Sequence, residues 1–599
     1  MTTYGYDTES NLTSIKDANN HTTSFTYDAF GRLTKTTFPS GYIETYAYDA
    51  VGNLTSKTDR KNQLLTYTYD QLNRLALKTY PDTTTVNYTY DLDSRVTQVT
   101  DPTGTYQFTF DNMGRLTSAS ASYTFLTARS FTNGYSYDAA SNRTGFTDPE
   151  NGSTAYVYDT LNRLQTLTPP AAFSGTGSFG FGYDALSRRT QMTRPNNVTT
   201  NYAYDNLSRL QSALHQLSGT TIDGASYGLD SAGNRTSKTD QRAGVTSNYS
   251  YDAIYELTGV TQGANTTESY TYDPVGNRLS SLGVSPYSVN VSNELTSTPS
   301  TSYTYDYNGN TLTKLVGSNT TNYAWDYENR LTSVTLPGSG GTVSFKYDPF
   351  GRRIYKSSSS GTSIYTYDRQ NLVEETNASG GVVARYVQTR NVDEPLALLR
   401  SGTVSYYEQD GLGSVTSLSN DAGALAQTYT YDSFGNTTVS SGSVVNSFRF
   451  TARDFDTETS LQFSRARYYD SSAGRFVSED PSRFKAGVNF YTYVKNDPSN
   501  LADPTGLGCG GNGDGDTKHE ICFCTLVIPV EDVQVQGVGC SYGCYCSSGS
   551  ITVFLWRSHS WKCFFEPCPT FVIISRLDAP GYDPYTTPIW LWPSRLCTP

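Results

Sequence analysis

Cysteine is missing from most of this 599-residue chain, because all nine cysteines lie at or after Cys509. Disulfides and cysteine-ligated metals are therefore excluded as supports for the first 508 residues. No apolar run is long enough to span a bilayer. A basic excess is also missing, since the net charge is −12, which argues against nucleic acid or an anionic membrane as a partner of the chain as a whole. The start, "MTTYGYDTESNL", lacks a signal peptide's basic and apolar regions, so export is expected to use another route unless the start is missing.

Tyrosine and glycine are abundant instead, with 49 and 50 residues, while only three methionines occur. This composition is typical of repetitive β-structure. The chain aligns with itself on a unit that is clearest in "FTYDAFGRLT" and "YAYDAVGNLT". Its aspartate recurs every 21 residues as far as Asp91, then after 20 residues, and later at about the same spacing with longer gaps where loops are inserted, at Asp7, Asp28, Asp49, Asp70, Asp91, Asp111, Asp138, Asp159, Asp184, Asp205, Asp230, Asp252, Asp273, Asp306, Asp326, Asp348, Asp368 and Asp432. Such a period indicates an array of one supersecondary unit.

Each unit predicts a β-hairpin. Phe25 and Tyr27 are two residues apart and share one face of a strand, whereas Thr26 points to the other face. Asp28 is expected to open a turn through its side-chain oxygen, and Gly31 to close it in the left-handed conformation. Turn signals such as "DANN", "FPSG" and "DPTG" then link one hairpin to the next.

The predicted fold class is all-β, a long antiparallel ribbon of hairpins that pair edge to edge and bury their aromatic face together. The ends of such a strip must be covered or closed, since exposed strand edges aggregate. We interpret the repeated Tyr-Asp pair as structural, with tyrosine packing and aspartate capping a turn. The alternative is that the tyrosines form platforms on which a carbohydrate stacks.

The motif Tyr-x-Tyr-Asp-x-x-Gly-Arg/Asn-Leu resembles the YD repeat of the Rhs family and of the related toxin-complex C subunits and teneurins. Residues 406–423, 450–481 and 489–507 are similar to the Rhs-associated core that ends such arrays. The resemblance implies a ribbon that spirals into a hollow cage, a core domain that plugs one end, and a variable toxin behind the DPxGL motif. We therefore expect three parts: a YD-repeat shell over 1–400, the core domain over 401–507, and a variable C-terminal domain over 508–599.

The resemblance also implies an aspartyl autoprotease in the core domain. "DPTGL" matches DPxGL, which makes Asp503 one catalytic carboxylate and Leu507–Gly508 the bond that is cut. "SEDP" makes Asp480 the second carboxylate, with Asp497 as the runner-up, and Arg467 in "RARYYD" matches an arginine that the family needs. Two close carboxylates share one proton, so one activates water while the other protonates the leaving group. Without the resemblance each Asp-Pro predicts only a turn.

The tail after Leu507 has a different chemistry. It begins with the linker-like "GCGGNGDGD" and continues as a small β-rich domain, with tryptophans expected in or near its core (Trp556, Trp561, Trp590 and Trp592). Eight cysteines are numerous enough for four disulfides, with Cys509 left over: Cys522, Cys524, Cys540, Cys544, Cys546, Cys563, Cys568 and Cys597. The alternatives are a zinc site with His519 or His559, buried thiols, or a Cys/His hydrolase using Cys522. A nuclease is disfavoured, since five basic residues face eight acidic ones.

The functional prediction is an Rhs-type polymorphic toxin, secreted or at the cell surface, whose shell encloses its own C-terminal domain as cargo and releases it by self-cleavage. Expected partners are that cargo, an immunity protein and a secretion apparatus; we predict no cofactor, no metal at the protease site, and no nucleic acid for the shell. The alternative is a surface adhesin or carbohydrate-binding protein whose tail is a disulfide-bonded recognition module. Because the chain starts inside a repeat, we also expect it to be a fragment.

Overall fold

The computed structural model describes residues 1–173, 177–508, 523–531, 538–546 and 549–555, and strands dominate it. The first sheet contains 26 strands, each paired antiparallel with the next in sequence. These are β1 to β26: Thr3–Tyr6, Leu12–Lys16, Thr22–Tyr27, Leu33–Thr37, Ile43–Tyr48, Leu54–Thr58, Leu64–Tyr69, Leu75–Thr79, Thr85–Tyr90, Val96–Asp101, Gly104–Phe110, Leu116–Tyr123, Ser130–Tyr137, Arg143–Thr147, Ser153–Tyr158, Leu164–Thr168, Phe179–Tyr183, Arg189–Thr193, Val198–Tyr204, Leu210–Leu217, Thr220–Leu229, Arg235–Asp240, Val245–Tyr251, Leu257–Gln262, Asn265–Tyr272 and Arg278–Ser281.

The second sheet continues the ribbon with 16 strands in the same sequential order. These are β27 to β42: Ser288–Val289, Leu295–Thr298, Thr301–Tyr305, Thr311–Val316, Asn319–Trp325, Leu331–Thr335, Thr342–Tyr347, Arg353–Ser358, Gly361–Asp368, Asn371–Thr376, Val382–Gln388, Pro395–Arg400, Thr403–Gln409, Val415–Ser419, Leu425–Tyr431 and Thr437–Gly442. The hairpin pattern thus runs to Gly442, and the expected division at residue 400 stays a prediction. The described residues contain no helix of the length and apolarity needed to cross a bilayer.

The hairpin turn forms as the sequence predicts. The backbone N–H of Gly31 donates to the Asp28 carbonyl at 3.0 Å, and Gly31 has φ +74°. Asp28 Oδ1 accepts the backbone N–H groups of Phe30 and Arg32 at 2.9 and 3.0 Å, and Arg32 Nε donates to Oδ2 at 2.7 Å. The carboxylate therefore satisfies the turn's own donors, which is a structural part and not a catalytic one.

Tyrosine and arginine join consecutive hairpins. The second tyrosine of the unit reaches back by its hydroxyl to a strand 15 residues earlier, as in Tyr27 to the Leu12 carbonyl at 2.8 Å and Tyr48 to the Leu33 carbonyl at 2.9 Å. Arg32 Nη1 reaches forward to the Asp49 carbonyl at 2.8 Å. Each repeat is thus bonded to its neighbours by side chains as well as by strand pairing, as expected of an array that is stable only as a whole.

The ribbon returns to its own beginning after about 250 residues, which makes it a spiral. Asn19 Nδ2 donates to Asp273 Oδ2 at 2.8 Å, across 254 positions of sequence. The Tyr123 hydroxyl donates to the Tyr365 carbonyl at 2.9 Å, across 242 positions. Arg129 Nη1 donates to the Gly380 carbonyl at 2.7 Å, across 251 positions. These contacts place the first turn of the spiral against the second, and the two turns form a β-shell.

A compact segment without the hairpin repeat follows the ribbon. It has four short strands, β43 to β46, at Asp454–Asp456, Leu461–Ser464, Arg467–Asp470 and Arg475–Phe476, and three single-turn 3-10 helices at Phe450–Ala452, Arg483–Lys485 and Val494–Asn496. It contacts both turns of the spiral: Arg483 pairs with Glu44 at 2.5 Å, and the Tyr491 hydroxyl donates to the Gly309 carbonyl at 2.7 Å. Its own hydrophobic core comprises Phe450, Tyr469, Phe476, Tyr493 and Val494.

Three further antiparallel strands lie in the tail, β47 to β49, at Phe523–Glu531, Val538–Cys546 and Gly549–Leu555. The disulfides, the zinc or Cys/His site and the tryptophan core predicted for this part concern side chains outside the described residues.

Candidate functional site

Three sequence-predicted residues, Arg467, Asp480 and Asp503, meet inside the compact segment. Arg467 begins β45, which pairs with β44 through Ser464. Asp480 follows β46 and is held by a bond from its backbone N–H to the Phe490 carbonyl at 3.0 Å. The segment around Asp503 folds back over the same strands, where the Ala466 N–H donates to the Thr505 carbonyl at 3.1 Å. Asp503, which is 36 positions from Arg467 in the sequence, is thereby brought to the Arg467 guanidinium.

Arg467 bridges the two carboxylates. Its Nη2 lies 2.8 Å from Asp480 Oδ2 and 3.1 Å from Asp503 Oδ2. The remaining nitrogens donate to backbone, Nε to the Gly506 carbonyl at 2.5 Å and Nη1 to the Phe490 carbonyl at 2.9 Å. The planar fork of arginine suits this arrangement, because a lysine ammonium offers a single nitrogen.

The cluster is almost fully removed from solvent, since Arg467, Asp480 and Asp503 are 3%, 2% and 1% exposed. The guanidinium carbon lies 3.5 Å from the centre of the Phe476 ring. Burial raises the pKa of both carboxyls above the ordinary range, and the Arg467 charge opposes that shift. Burial lowers the pKa of Arg467, against the pull of the two carboxylates. One arginine and two aspartates are electrically neutral when the pair retains one proton, the state that a low-dielectric site favours.

Asp503 receives the amides of the segment predicted to be cut. Its Oδ1 accepts the N–H groups of Gly506 at 2.8 Å and Leu507 at 3.2 Å. Its Oδ2 accepts the N–H of Gly508 at 3.1 Å, which is the nitrogen of the Leu507–Gly508 bond. Leu507 is 36% exposed, so this bond lies at the border between the buried carboxylates and solvent.

The carbonyl of the same bond is connected to Asp480 through Ser482, a residue that the sequence reasoning missed. Ser482 Oγ lies 2.5 Å from Asp480 Oδ1 and 3.0 Å from the Leu507 carbonyl oxygen. The spacing Asp-x-Ser predicts only an Asx-type turn. The same spacing occurs at Asp470 and Ser472, whose hydroxyl also donates to the aspartate, at 2.5 Å, so sequence alone does not distinguish the two serines.

Gly506 allows the segment predicted to be cut to approach the strands. It has φ +72°, and a Cβ built there would lie 2.1 Å from the Ser464 carbonyl oxygen and 3.1 Å from the Arg467 nitrogen. The carbonyl of Pro504 accepts bonds from Arg453, at 3.0 Å, and from Arg465. A glycine and two further arginines therefore hold the segment in place, and neither arginine was singled out from the sequence.

The runner-up carboxylate, Asp497, belongs to a different network. Its Oδ1 accepts Asn500 Nδ2 at 2.7 Å and Ser499 Oγ at 3.2 Å, and burial raises its pKa to about 6. The neighbouring Ser499 carbonyl accepts Arg235 Nη1 from the ribbon at 2.8 Å. Among the described residues, no hydrogen bond joins Asp497 to Arg467 or to the Leu507–Gly508 peptide.

The site therefore contains one peptide bond with a carboxylate on each side of it. Asp503 touches its nitrogen, and Asp480 reaches its carbonyl oxygen through one hydroxyl. Nucleophilic attack on that carbonyl requires a base, an acid and stabilisation of the oxyanion, and two carboxylates that share a proton are able to supply the first two.

Comparisons with known proteins agree with the fold. The family model of the teneurin YD-shell matches residues 1–193 and 187–499. Among curated proteins, the tRNA3(Ser)-specific nuclease WapA of Bacillus spizizenii is 30% identical over 273 residues, 43% of this chain and 12% of that protein. The toxin protein Tse5 of Pseudomonas aeruginosa is 32% identical over 109 residues, 18% of this chain and 8% of that protein. The matches thus span a small part of each curated relative.

Solved structures show the same architecture at low identity. The crystal structure of TcdB2-TccC3-Cdc42 has a TM-score of 0.72 and 18% identity, and the match covers 84% of this chain and 30% of that chain. The Photorhabdus luminescens Tc holotoxin pore structure with a TccC3 mutation also has a TM-score of 0.72 and 18% identity, with 85% of this chain covered and 29% of that one. The predicted all-β spiral of YD hairpins is confirmed. Part of the chain is similar to toxins of the Rhs/YD-repeat type. The chain belongs to the teneurin YD-shell family.

Proposed function

We propose that the shell carries residues 508–599 as an effector and releases them by hydrolysing its own Leu507–Gly508 bond. The proposal is supported by the toxin relatives and by the position of the cysteines, the first of which, Cys509, follows directly after Gly508. It extends to a secreted or surface-delivered protein whose partners are the cargo, an immunity protein and a secretion apparatus. The nuclease activity in the name of one relative belongs to that relative; the acidic balance of this tail disfavours the same chemistry here.

One observation carries the proposal: a single buried arginine holds two aspartates, one of which contacts the amide nitrogen of the predicted scissile bond. The distances are 2.8 and 3.1 Å from Arg467 Nη2 to the carboxylates and 3.1 Å from Asp503 to Gly508 N. The bond and the acids belong to one folded unit, so cleavage is intramolecular and the effective concentration of the reacting groups is high.

Asp503 suits the role of base. Besides Arg467 it faces the three N–H donors of Gly506, Leu507 and Gly508, all of which require an acceptor. These donors favour its ionised form over that of Asp480, which accepts fewer backbone N–H groups. Asp480 then keeps the shared proton and is the acid.

The reaction balances with water as the only co-reactant. Asp503 takes a proton from water while the water oxygen bonds to the Leu507 carbonyl carbon, and Asp480 provides a proton on the carbonyl side. Asp503 then gives its proton to Gly508 N as the C–N bond breaks, and the carbonyl-side proton returns to Asp480. The products are a carboxyl group on Leu507 and a free amine on Gly508, and both aspartates regain their starting states.

The test uses the full chain and intact-mass measurement with N-terminal sequencing of any new fragment. We expect two associated chains, the smaller starting at Gly508, and a rate lowered by about 10²- to 10⁴-fold or more in Asp503→Asn and Asp480→Asn. The matched control is Asp497→Asn, which removes another buried carboxylate of the same segment and should leave cleavage unchanged. Intact wild-type chains, or cleavage in both variants at the wild-type rate, would show that this site is not a protease.

The cargo hypothesis has its own test. Residues 508–599 are expressed alone, in cytoplasmic and in periplasmic form, and growth is compared with that of cells producing residues 1–507. Loss of viability in either compartment supports an effector. A tail that is harmless in both forms, and that binds a carbohydrate or a cell surface, supports the adhesin alternative instead.

A further inference from the structure

Ser482 lies between one catalytic carboxyl and the atom on which negative charge would develop. Its Oγ is 2.5 Å from Asp480 Oδ1 and 3.0 Å from the Leu507 carbonyl oxygen, while its backbone N–H donates to Asp480 Oδ1 at 2.7 Å. The backbone bond fixes the serine beside the carboxyl. The hydroxyl is therefore placed by the turn and not by the scissile segment.

A hydroxyl has one proton, which is not enough to donate to both neighbours. If Asp480 is ionised, the Ser482 proton points to the carboxylate, and the Leu507 oxygen faces an oxygen with no proton between them. If Asp480 is protonated on Oδ1, it donates to Ser482 Oγ, and Ser482 donates to Leu507. Each contact then joins a donor to an acceptor, the arrangement that buried polar groups require.

The proton of Asp480 belongs on Oδ1, because the cationic Arg467 Nη2 lies 2.8 Å from Oδ2, whereas Oδ1 contacts only the neutral backbone N–H and hydroxyl of Ser482, at 2.7 and 2.5 Å. The charged groups that act on Asp480 are Arg467 and, beyond it, Asp503. With Asp503 ionised, a protonated Asp480 leaves the cluster neutral. The hydrogen-bond pattern around Ser482 and the charge balance around Arg467 thus point independently to the same protonation state.

We propose that Ser482 is a further catalytic residue, which relays a proton from Asp480 to the carbonyl oxygen of Leu507; this inference rests on the proposed self-cleavage. As the water oxygen bonds to the carbonyl carbon, the carbonyl oxygen takes the Ser482 proton and Ser482 takes the Asp480 proton. When the C–N bond breaks, the two protons move back. The serine never bonds to carbon, since its Oγ faces the carbonyl oxygen.

The experiment follows cleavage of the full chain, pulse-labelled in a cell-free translation and chased in buffers from about pH 4 to pH 8. Ser482→Ala should slow the appearance of the Gly508 amino terminus by about 10²- to 10³-fold, the range expected for losing one proton donor or one oxyanion donor. Ser482→Thr keeps the hydroxyl and should cleave within a few-fold of wild type. Ser472→Ala removes the same Asx-turn hydroxyl at Asp470 and should have no effect.

The pH profile separates a relay from a structural role. The wild-type rate should fall as pH rises through the ionisation of Asp480, since the relay needs its proton. In Ser482→Ala that alkaline fall should disappear, because Asp480 no longer reaches the carbonyl.

The relay is overturned if Ser482→Ala cleaves at the wild-type rate while Asp503→Asn does not cleave. That result would leave the proposed self-cleavage intact. It is also overturned if Ser482→Thr is as slow as Ser482→Ala, since the hydroxyl would then not be the cause. A wild-type chain that never cleaves removes the relay together with the proposed function.

Discussion

Removing Arg467 should destabilise the compact segment that follows the ribbon, by an amount that depends on pH. The perturbation is Arg467→Met in a chain that already has Asp480→Asn, so that no cleavage intervenes and one carboxylate remains. In the reference chain, Asp480→Asn, Arg467 and Asp503 form a buried 1:1 pair. In the double variant Asp503 is left 1% exposed and without a cation partner, which a low-dielectric site does not tolerate.

The magnitude is limited by protonation. An unpaired Asp503 becomes neutral by binding a proton. Protonating it at pH 7, about three units above an ordinary pKa of about 3.9, costs about 1.4 kcal/mol for each unit, or about 4 kcal/mol in all. The three backbone N–H donors reduce this cost, so we expect about 2–4 kcal/mol at pH 7 and about 1 kcal/mol at pH 5. In the double variant the pKa of Asp503 is higher in the folded state than in the unfolded state. The segment is therefore most stable below the unfolded-state pKa of Asp503, and it loses stability as pH rises through the folded-state pKa.

Amide hydrogen exchange of the peptide covering residues 502–507 measures this local stability. Exchange should accelerate by about 30- to 1,000-fold at pH 7 and by about 5-fold at pH 5, after correction for the intrinsic rate. Arg475→Met in the same background is the control. It removes another arginine of the segment, but the partners of Arg475 are uncharged, since it donates to the Asn293 carbonyl at 2.5 Å and lies over the Tyr491 ring. Equal acceleration at both pH values, or none at all, would refute the electrostatic account of Arg467.

Three other predictions concern the scissile segment, the shell and the hairpin turn. Gly506→Ala should abolish cleavage in the mass assay, since its Cβ would meet the Ser464 carbonyl oxygen at 2.1 Å and its φ is +72°. Burial raises the pKa of Glu408 to about 7, so this carboxyl alone should cost the wild-type shell about 2–3 kcal/mol of unfolding free energy between pH 5 and pH 8 in urea titrations, and the loss over that range should be smaller by this amount in Glu408→Gln. Asp70→Ala should cost about 1–2 kcal/mol, seen as faster exchange at that turn alone, because Asp70 accepts the Arg74 N–H at 3.0 Å and Arg74 Nε at 2.7 Å.

The hairpin unit was predictable from the sequence because its causes are local. Asp28, Gly31 and Arg32 lie within five positions, and their turn forms whatever the rest of the chain does. The repetition of that unit predicts sequential antiparallel pairing, which the structure has throughout both sheets. The resemblance of "RARYYD", "SEDP" and "DPTGL" to a known core domain also identified three residues that meet, although nothing in their spacing predicts the contact.

Tertiary structure alone decided which distant residues meet, because contacts between the turns of the spiral depend on how small rotations add up along the ribbon. The contact of Tyr123 with Tyr365 requires some 240 residues of accumulated twist and coil, which no short pattern specifies. Ser482 has the same local turn as Ser472, yet only Ser482 has the Leu507 carbonyl within 3.0 Å, because the chain after Asp503 folds back over its strand. Local sequence thus determined the repeating hairpin, while the long-range return of the chain decided which hydroxyl and which carboxylates surround the Leu507–Gly508 bond.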